Sequence, residues 1–272
     1  MKLVSKIQKI YDVDISLMSV FQAPVIKELV LKVVAAKNLD AHDVDHPYIV
    51  FNEEAKKRIF CFPPAAGYSI GYRELAIILE SYAMYGFHFV ESDDPISEYV
   101  KLITQIQSTG PYILMGYSAG GNLAFEVARE LKKHGQAVSD IIMLDSYRRE
   151  EKQTLSPEEQ QSQRDIYLDN EVVKKYLINE RLKETFIRKM EAYTCYLSNS
   201  IDHGMVHANI HVINAADKEK AEANHAWNNA TDMKCTYFQG VGKHEQMLDG
   251  EFIKTNAGII SGILENIFHL PT

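Results

Sequence analysis

The segment "LMGYSAGGNLAFEVARELKKHG", Leu114–Gly135, sets Ser118 between Gly116 and Gly120, where an apolar run gives way to an amphipathic one. This is the pattern G-x-S-x-G, and its setting between a strand and a helix is the one that a nucleophile elbow requires. Turning a strand directly into a helix strains the backbone at the serine, and glycines on either side remove side chains that would collide there. A hydroxyl left protruding at a helix N-terminus stands beside unpaired N–H groups suited to an oxyanion. The chemistry expected is acyl transfer through a serine ester.

A serine hydroxyl is a weak nucleophile and needs a base that a third group orients. Among ten histidines, His244 in "YFQGVGKHEQML" is the expected base, because its glycine-punctuated loop follows the last strand-like run. His134 falls near a helix C-terminus, and His42 and His46 fall in a polar linker. His203, His207 and His211 recur every four residues, but Gly204 and the following strand break any helix that could present them together to a metal. For the acid, Asp145 closes "IIMLD" in the strand after the nucleophile's helix, and Asp217 in "VINAAD" closes the next strand. Both keep the chain order Ser, Asp, His. Adjacency of consecutive parallel strands favours Asp145. Oxyanion donors are expected from the backbone of Ala65, in "CFPPAAGY", and of Ala119.

These residues need a scaffold that brings them to one edge. Strand-like runs at Tyr48–Phe51, Ile59–Phe62, Met84–Phe89, Tyr112–Tyr117, Val138–Leu144, Ile210–Asn214 and Met233–Phe238 alternate with helical patterns. The helices are predicted at Tyr72–Leu79, Ile96–Ile106, Ala119–His134, Ala221–Asn229 and Phe252–Ile267. Such alternation implies parallel crossovers and an α/β fold with a mostly parallel central sheet. Residues 148–200 interrupt it with two amphipathic candidates, "EEQQSQRDIYLDNEVVKKYL" and "RLKETFIRKMEAYTCYL", a position suited to a helical lid. Before the sheet, Leu3–Val34 reads as short helices and Ala36–Asp45 as a polar linker.

The 272 residues carry a net charge of −8 and no Lys/Arg cluster, which argues against a nucleic-acid partner. No apolar run approaches the ~20 residues of a membrane span. Cys61, Cys195 and Cys235 lack metal spacing and sit in apolar contexts, so they read as reduced core residues of a cytoplasmic protein.

Taken together, "FCFPPAAGY", "YGFHFVE", "GPYILMGYSAGGNLAFEVA", "IIMLDSY" and "GKHEQML" resemble the C-terminal (type I) thioesterase domain of a nonribosomal peptide synthetase. The resemblance implies an α/β-hydrolase fold over residues 48–272 with a lid at about 148–200. It implies a triad of Ser118, Asp145 and His244, and oxyanion amides at Ala65 and Ala119. "LVSKIQKIYDVDISLMSVFQAPVIKELV" is similar to the trailing half of a peptidyl carrier domain, which places carrier helices at 1–36 and a linker at 37–47. The carrier serine that bears the arm would lie just before this segment, so the chain itself would hold no cofactor. It would act on a peptidyl thioester tethered to the 4'-phosphopantetheine of an upstream carrier, as a monomeric domain of a larger synthetase. The resemblance leans towards macrocyclising release. Hydrolytic release, a stand-alone editing thioesterase or esterase, and a non-catalytic carrier-binding module are the alternatives.

Overall fold

A computed structural model describes residues 47–152, 156–169, 180–216 and 223–269, with residues 6, 7, 10, 11 and 30 of the N-terminal segment. The chain divides into two compact units, Met1–Pro47 and Tyr48–Thr272. In the first, Lys6, Ile7, Ile10, Tyr11 and Val30 are helical, and most of the expected carrier-like helices and linker lie outside the described residues.

The second unit is built on a seven-stranded sheet in the order β1-β3-β2-β4-β5-β6-β7. Its strands are β1 (Tyr48–Phe51), β2 (Lys57–Phe62), β3 (Tyr82–Phe87), β4 (Tyr112–Tyr117), β5 (Val138–Leu144), β6 (Asn209–Asn214) and β7 (Cys235–Gln239). Only the β1–β3 pairing is antiparallel. This is an α/β-hydrolase fold. The helices are α1 (Arg73–Ile78), α2 (Pro95–Ile106), α3 (Ala119–Lys133), α4 (Pro157–Asp169), α5 (Glu180–Asn199) and α6 (Phe252–His269). Among the described residues, no helix is long and apolar enough to cross a membrane.

The period of two along each strand explains why helices cover both faces. Phe60, Phe62, Leu114, Ile141 and Val212 join one core with Val100 and Ile103 of α2 and Leu123 and Val127 of α3. The alternate residues Ile59, Cys61, Met115, Ile142 and Ile213 join the other, with Leu75 of α1 and Ile260 of α6. With both faces buried, the strands read as near-continuous apolar runs, which is why they were legible.

Three expectations change in detail. The third strand ends at Phe87, because the Phe89 N–H turns away to the carbonyl of Gly67, at 2.8 Å. The helix expected at 221–229 is a 3-10 helix over Ala223–Asn229, a stretch whose asparagines favour turns over helix interiors. Of the three free cysteines only Cys61 is buried, its thiol pushed up by desolvation; Cys235 is half-buried and Cys195 exposed. On α5 the buried positions are Phe186, Met190 and Tyr193, spaced i, i+4, i+7, and Cys195 lies about 200° round the helix from Tyr193.

Candidate active site

The carboxyl ends of β4, β5 and β6 fall in register: Tyr117 pairs with Leu144, and Leu144 with Ile213. The ladder runs one residue further, through Ser118 N–H to Leu144 O and Asp145 N–H to Ile213 O, both at 2.8 Å. Ser118 and Asp145 are thereby set on neighbouring strand ends, as the sequence suggested. Both have positive φ, 57° and 45°, which for non-glycine residues costs on the order of 1–3 kcal/mol and persists only where surrounding bonds over-determine it.

Those bonds are visible at each residue. The Ser146 hydroxyl donates to the Ser118 carbonyl at 2.7 Å, and the buried Trp227 indole donates to the Ser146 carbonyl at 2.6 Å. Trp227 also meets Phe125 of α3 edge-on, within the core. The glycines are required sterically. A Cβ at Gly116 would lie 2.1 Å from the Gly120 carbonyl carbon, and one at Gly120 would lie 2.4 Å from the Phe62 carbonyl oxygen. The start of α3 therefore presses against the end of β2, where the chain turns into Pro63–Ala65. Ala119 is the first residue of α3, so its N–H is one that helix geometry leaves without an intrahelical partner.

His244 arrives from the loop after β7. Its Nε2 lies 3.0 Å from Ser118 Oγ and its Nδ1 2.6 Å from Asp145 Oδ2. The second carboxylate oxygen, Oδ1, accepts from the Ala215 N–H at 3.0 Å, and the Tyr147 hydroxyl stands near both oxygens at 3.4 and 3.5 Å. Burial resists ionisation of Asp145. The hydrogen bonds from His244 and Ala215, the His244 charge and Tyr147 outweigh it, so the carboxyl is held below its usual range. A hydroxyl, an imidazole and a carboxylate in this series form the arrangement that draws a proton from an alcohol and holds the ring in one tautomer. The rival carboxylate, Asp217, lies outside the described residues.

Several residues that shape this site carried no sequence signal. Asn256 of α6 is fully buried and clamps the His244 loop three residues to either side. Its Oδ1 accepts from Val241 N–H at 2.9 Å, and its Nδ2 donates to the carbonyls of Val241 and Met247 at 2.9 and 2.8 Å. Tyr117, the variable residue before the serine, donates its hydroxyl to the His244 carbonyl and lays its ring beside the imidazole, with centroids 5.4 Å apart. Two of the other histidines pair with carboxylates elsewhere: His207 meets Asp232 at 2.8 Å, and His211 meets Asp140 at 2.9 Å. Among the described residues, no group of three or more His, Cys, Asp or Glu side chains is placed to hold a metal ion.

A family model described as "Thioesterase domain" matches residues 57–259. The chain belongs to the thioesterase domain family. Tyrocidine synthase 3 of Brevibacillus parabrevis is 34% identical over 287 residues, covering 98% of this chain and 4% of that protein. Surfactin synthase subunit 3 of Bacillus subtilis (strain 168) is 32% identical over 257 residues, covering 94% of this chain and 20% of that protein. The chain thus spans a small fraction of the length of the curated relatives it matches. Among solved structures, the thioesterase domain SrfTE, which cyclises the lipopeptide antibiotic surfactin, matches at 33% identity with a TM-score of 0.74. That match covers 85% of this chain and all of the other. The thioesterase domain described here is accordingly an enzyme of the serine hydrolase type.

The segment expected as a lid contains α4 and α5, separated by residues 170–179, which lie outside the described residues. From Phe186 onward, α5 is fastened to the body of the thioesterase domain. Tyr193 stacks on Phe89 with centroids 4.3 Å apart, and its hydroxyl donates to Pro63 O at 3.2 Å. Phe186 stacks on Tyr68 at 5.3 Å, and Lys189 donates to Phe89 O at 2.8 Å. Tyr196 donates to Glu126 of α3 at 2.5 Å, and Arg149 bridges Glu126 and Asp202. The aromatic "YTCY" run thus divides its work: Tyr193 packs into the core and Tyr196 closes a polar latch.

Proposed function

We propose that this thioesterase domain releases a peptide from the pantetheine arm of an upstream carrier domain by macrocyclisation through a seryl ester. The observation that carries the reading is the continuous series from Ser118 Oγ to His244 at 3.0 Å and from His244 to Asp145 at 2.6 Å. His244 Nε2 takes the proton from Ser118 as Oγ bonds to the thioester carbonyl carbon, and Asp145 steadies the imidazolium. The tetrahedral intermediate places its oxyanion against the N–H groups of Ala65 and Ala119. Collapse breaks the C–S bond, and His244 returns the proton to the departing pantetheine thiol. In the second half, an amine or hydroxyl of the bound peptide gives its proton to His244 and attacks the ester carbonyl, restoring Ser118. Water in that place would yield a linear acid.

Ring closure depends on holding the peptide bent and excluding water, a matter of access and orientation, with the triad unchanged. The lid at 148–200 is assigned that task. Support comes from the likeness to SrfTE, and from α5 being tied to Pro63, Phe89 and Glu126 around the same sheet edge. Residues 1–36 are assigned to trailing carrier helices and 37–47 to a linker, on the sequence resemblance.

The test offers a peptidyl pantetheine thioester and identifies the product by mass. A cyclic product that disappears in a folded Ser118→Ala variant is expected, with turnover lowered at least ~10³-fold. A linear product alone would replace cyclisation with hydrolysis, and wild-type rates in Ser118→Ala would remove Ser118 as the nucleophile.

A further inference from the structure

Two separate pieces of chain must meet to make the oxyanion site proposed above. One is the turn after β2 that carries Ala65, and the other is the start of α3 that carries Ala119. β2 and β4 stop pairing at Phe62 and Gly116, so the ladder itself no longer fixes their spacing where the two amides are needed. The Tyr72 hydroxyl lies in that gap. It donates to the Phe62 carbonyl at 2.7 Å and accepts from the Tyr117 N–H at 2.8 Å. Phe62 is the residue from which the Pro63–Ala65 turn springs, and Tyr117 is the residue before Ser118.

Tyr72 is well built for this position. Its side chain is 1% exposed, in the same core as Ile59, Cys61, Met115 and Leu144. Burial raises its phenol well above the ordinary value, so the hydroxyl keeps its proton and its directional donor role at any working pH. Tyr72 also ends the 3-10 turn Ser69–Tyr72, at the close of the loop that begins at Phe62. One hydroxyl therefore pins the base of that loop to the nucleophile's strand. Close approach of Gly120 to the Phe62 and Pro63 carbonyls shows how little slack the junction has.

Resting on the triad and oxyanion reading, we infer that Tyr72 is a positioning residue for the oxyanion site. It holds the Ala65-bearing turn and the Ser118 elbow at the separation that lets both amides reach one oxygen. Its hydroxyl touches neither substrate nor triad side chain in this role. It acts through backbone at Phe62 and Tyr117.

The experiment compares wild type with Tyr72→Phe on a peptidyl pantetheine thioester. Expected is a fall in kcat of roughly 10–100-fold at unchanged KM, below the 10²–10³-fold loss typical of deleting an oxyanion donor outright. Inhibition by a peptide boronate, which mimics the tetrahedral oxyanion, should weaken in parallel. The acid limb of the pH–rate profile should stay in place, and a fluorophosphonate should still label Ser118 to full stoichiometry, at a lower rate. A kcat within twofold of wild type overturns the proposal, as does a loss confined to the labelled fraction. Tyr72→4-aminophenylalanine keeps the ring and a donor but accepts weakly, so an intermediate rate is expected, and a wild-type rate again overturns the proposal. If Tyr72→Phe does not fold, this variant carries the test. Absence of turnover in wild type, with no labelling of Ser118, would instead defeat the triad reading on which the inference rests.

Discussion

The edge of the sheet around Ser118 and helix α5 are both held to the same body, but by a different balance of contacts. At the sheet edge, backbone contacts set the frame, and the side chains of Ser146 and Asn256 brace it. Ser118 and Asp145 extend the strand ladder, Ala215 donates its amide to Asp145, and glycines admit contacts that no Cβ would allow. On α5, side chains do the holding: Tyr193 on Phe89, Phe186 on Tyr68, Tyr196 on Glu126. Farther out, α4 meets α5 through the ion pair of Arg164 with Glu191 at 3.2 Å, both substantially exposed. Backbone contacts survive most side-chain changes, whereas contacts made by side chains change with the residue that makes them.

The largest effect should come from the sheet edge. Asp145→Asn keeps the shape but removes the charge that orients His244, and kcat for thioester turnover should fall about 10⁴-fold. A loss under tenfold would move the acid elsewhere, Asp217 first. The same variant has a pH signature. Asp145 has a depressed pKa in the folded state, so its ionisation adds stability that is fully present above the unfolded carboxylate value near ~4. That contribution drains away as pH falls through the lower folded value. The difference in urea midpoint between wild type and Asp145→Asn should therefore be largest near neutrality and shrink on acidification below about pH 4. A constant difference would show that the charge is not what the site stabilises.

On α5, Tyr193→Ala removes a fully buried ring and should cost about 3–5 kcal/mol in urea unfolding. If α5 frames the peptide, the product ratio should also move from cyclic towards linear. An unchanged ratio in the folded variant would reduce α5 to packing. The smallest effect is expected at α4. Arg164→Ala breaks an exposed ion pair worth roughly 0–1 kcal/mol, so the urea midpoint should barely move. A loss above ~2 kcal/mol would show that Arg164 does more than make an exposed ion pair.

In the sequence, β4 and β5 were bounded correctly because buried parallel strands are continuous apolar runs between turn residues, and the antiparallel edge strand β1 because turn-forming residues bound its short apolar run. Ser118 was legible because an elbow demands small flanking residues at fixed spacing, and Asp145 because consecutive strands tend to be neighbours. Tyr72, Asn256 and Trp227 were not. Each looks like an ordinary core residue in sequence, and its role comes from backbone groups 9 to 81 residues away. Cys195 misled in the opposite direction, since an aromatic neighbourhood along the chain says nothing about which side of a helix a residue occupies.

Local patterns alone determined the strand and helix alternation, the elbow and the shortlist of acid and base, because these depend on period, turn sterics and chain order. Only the tertiary structure decided that residues 118, 145 and 244 share one corner, and that a tyrosine and an asparagine brace it. Those facts rest on strand register and hydrogen-bond direction, which arise from pairing distant segments and leave no mark on either segment alone.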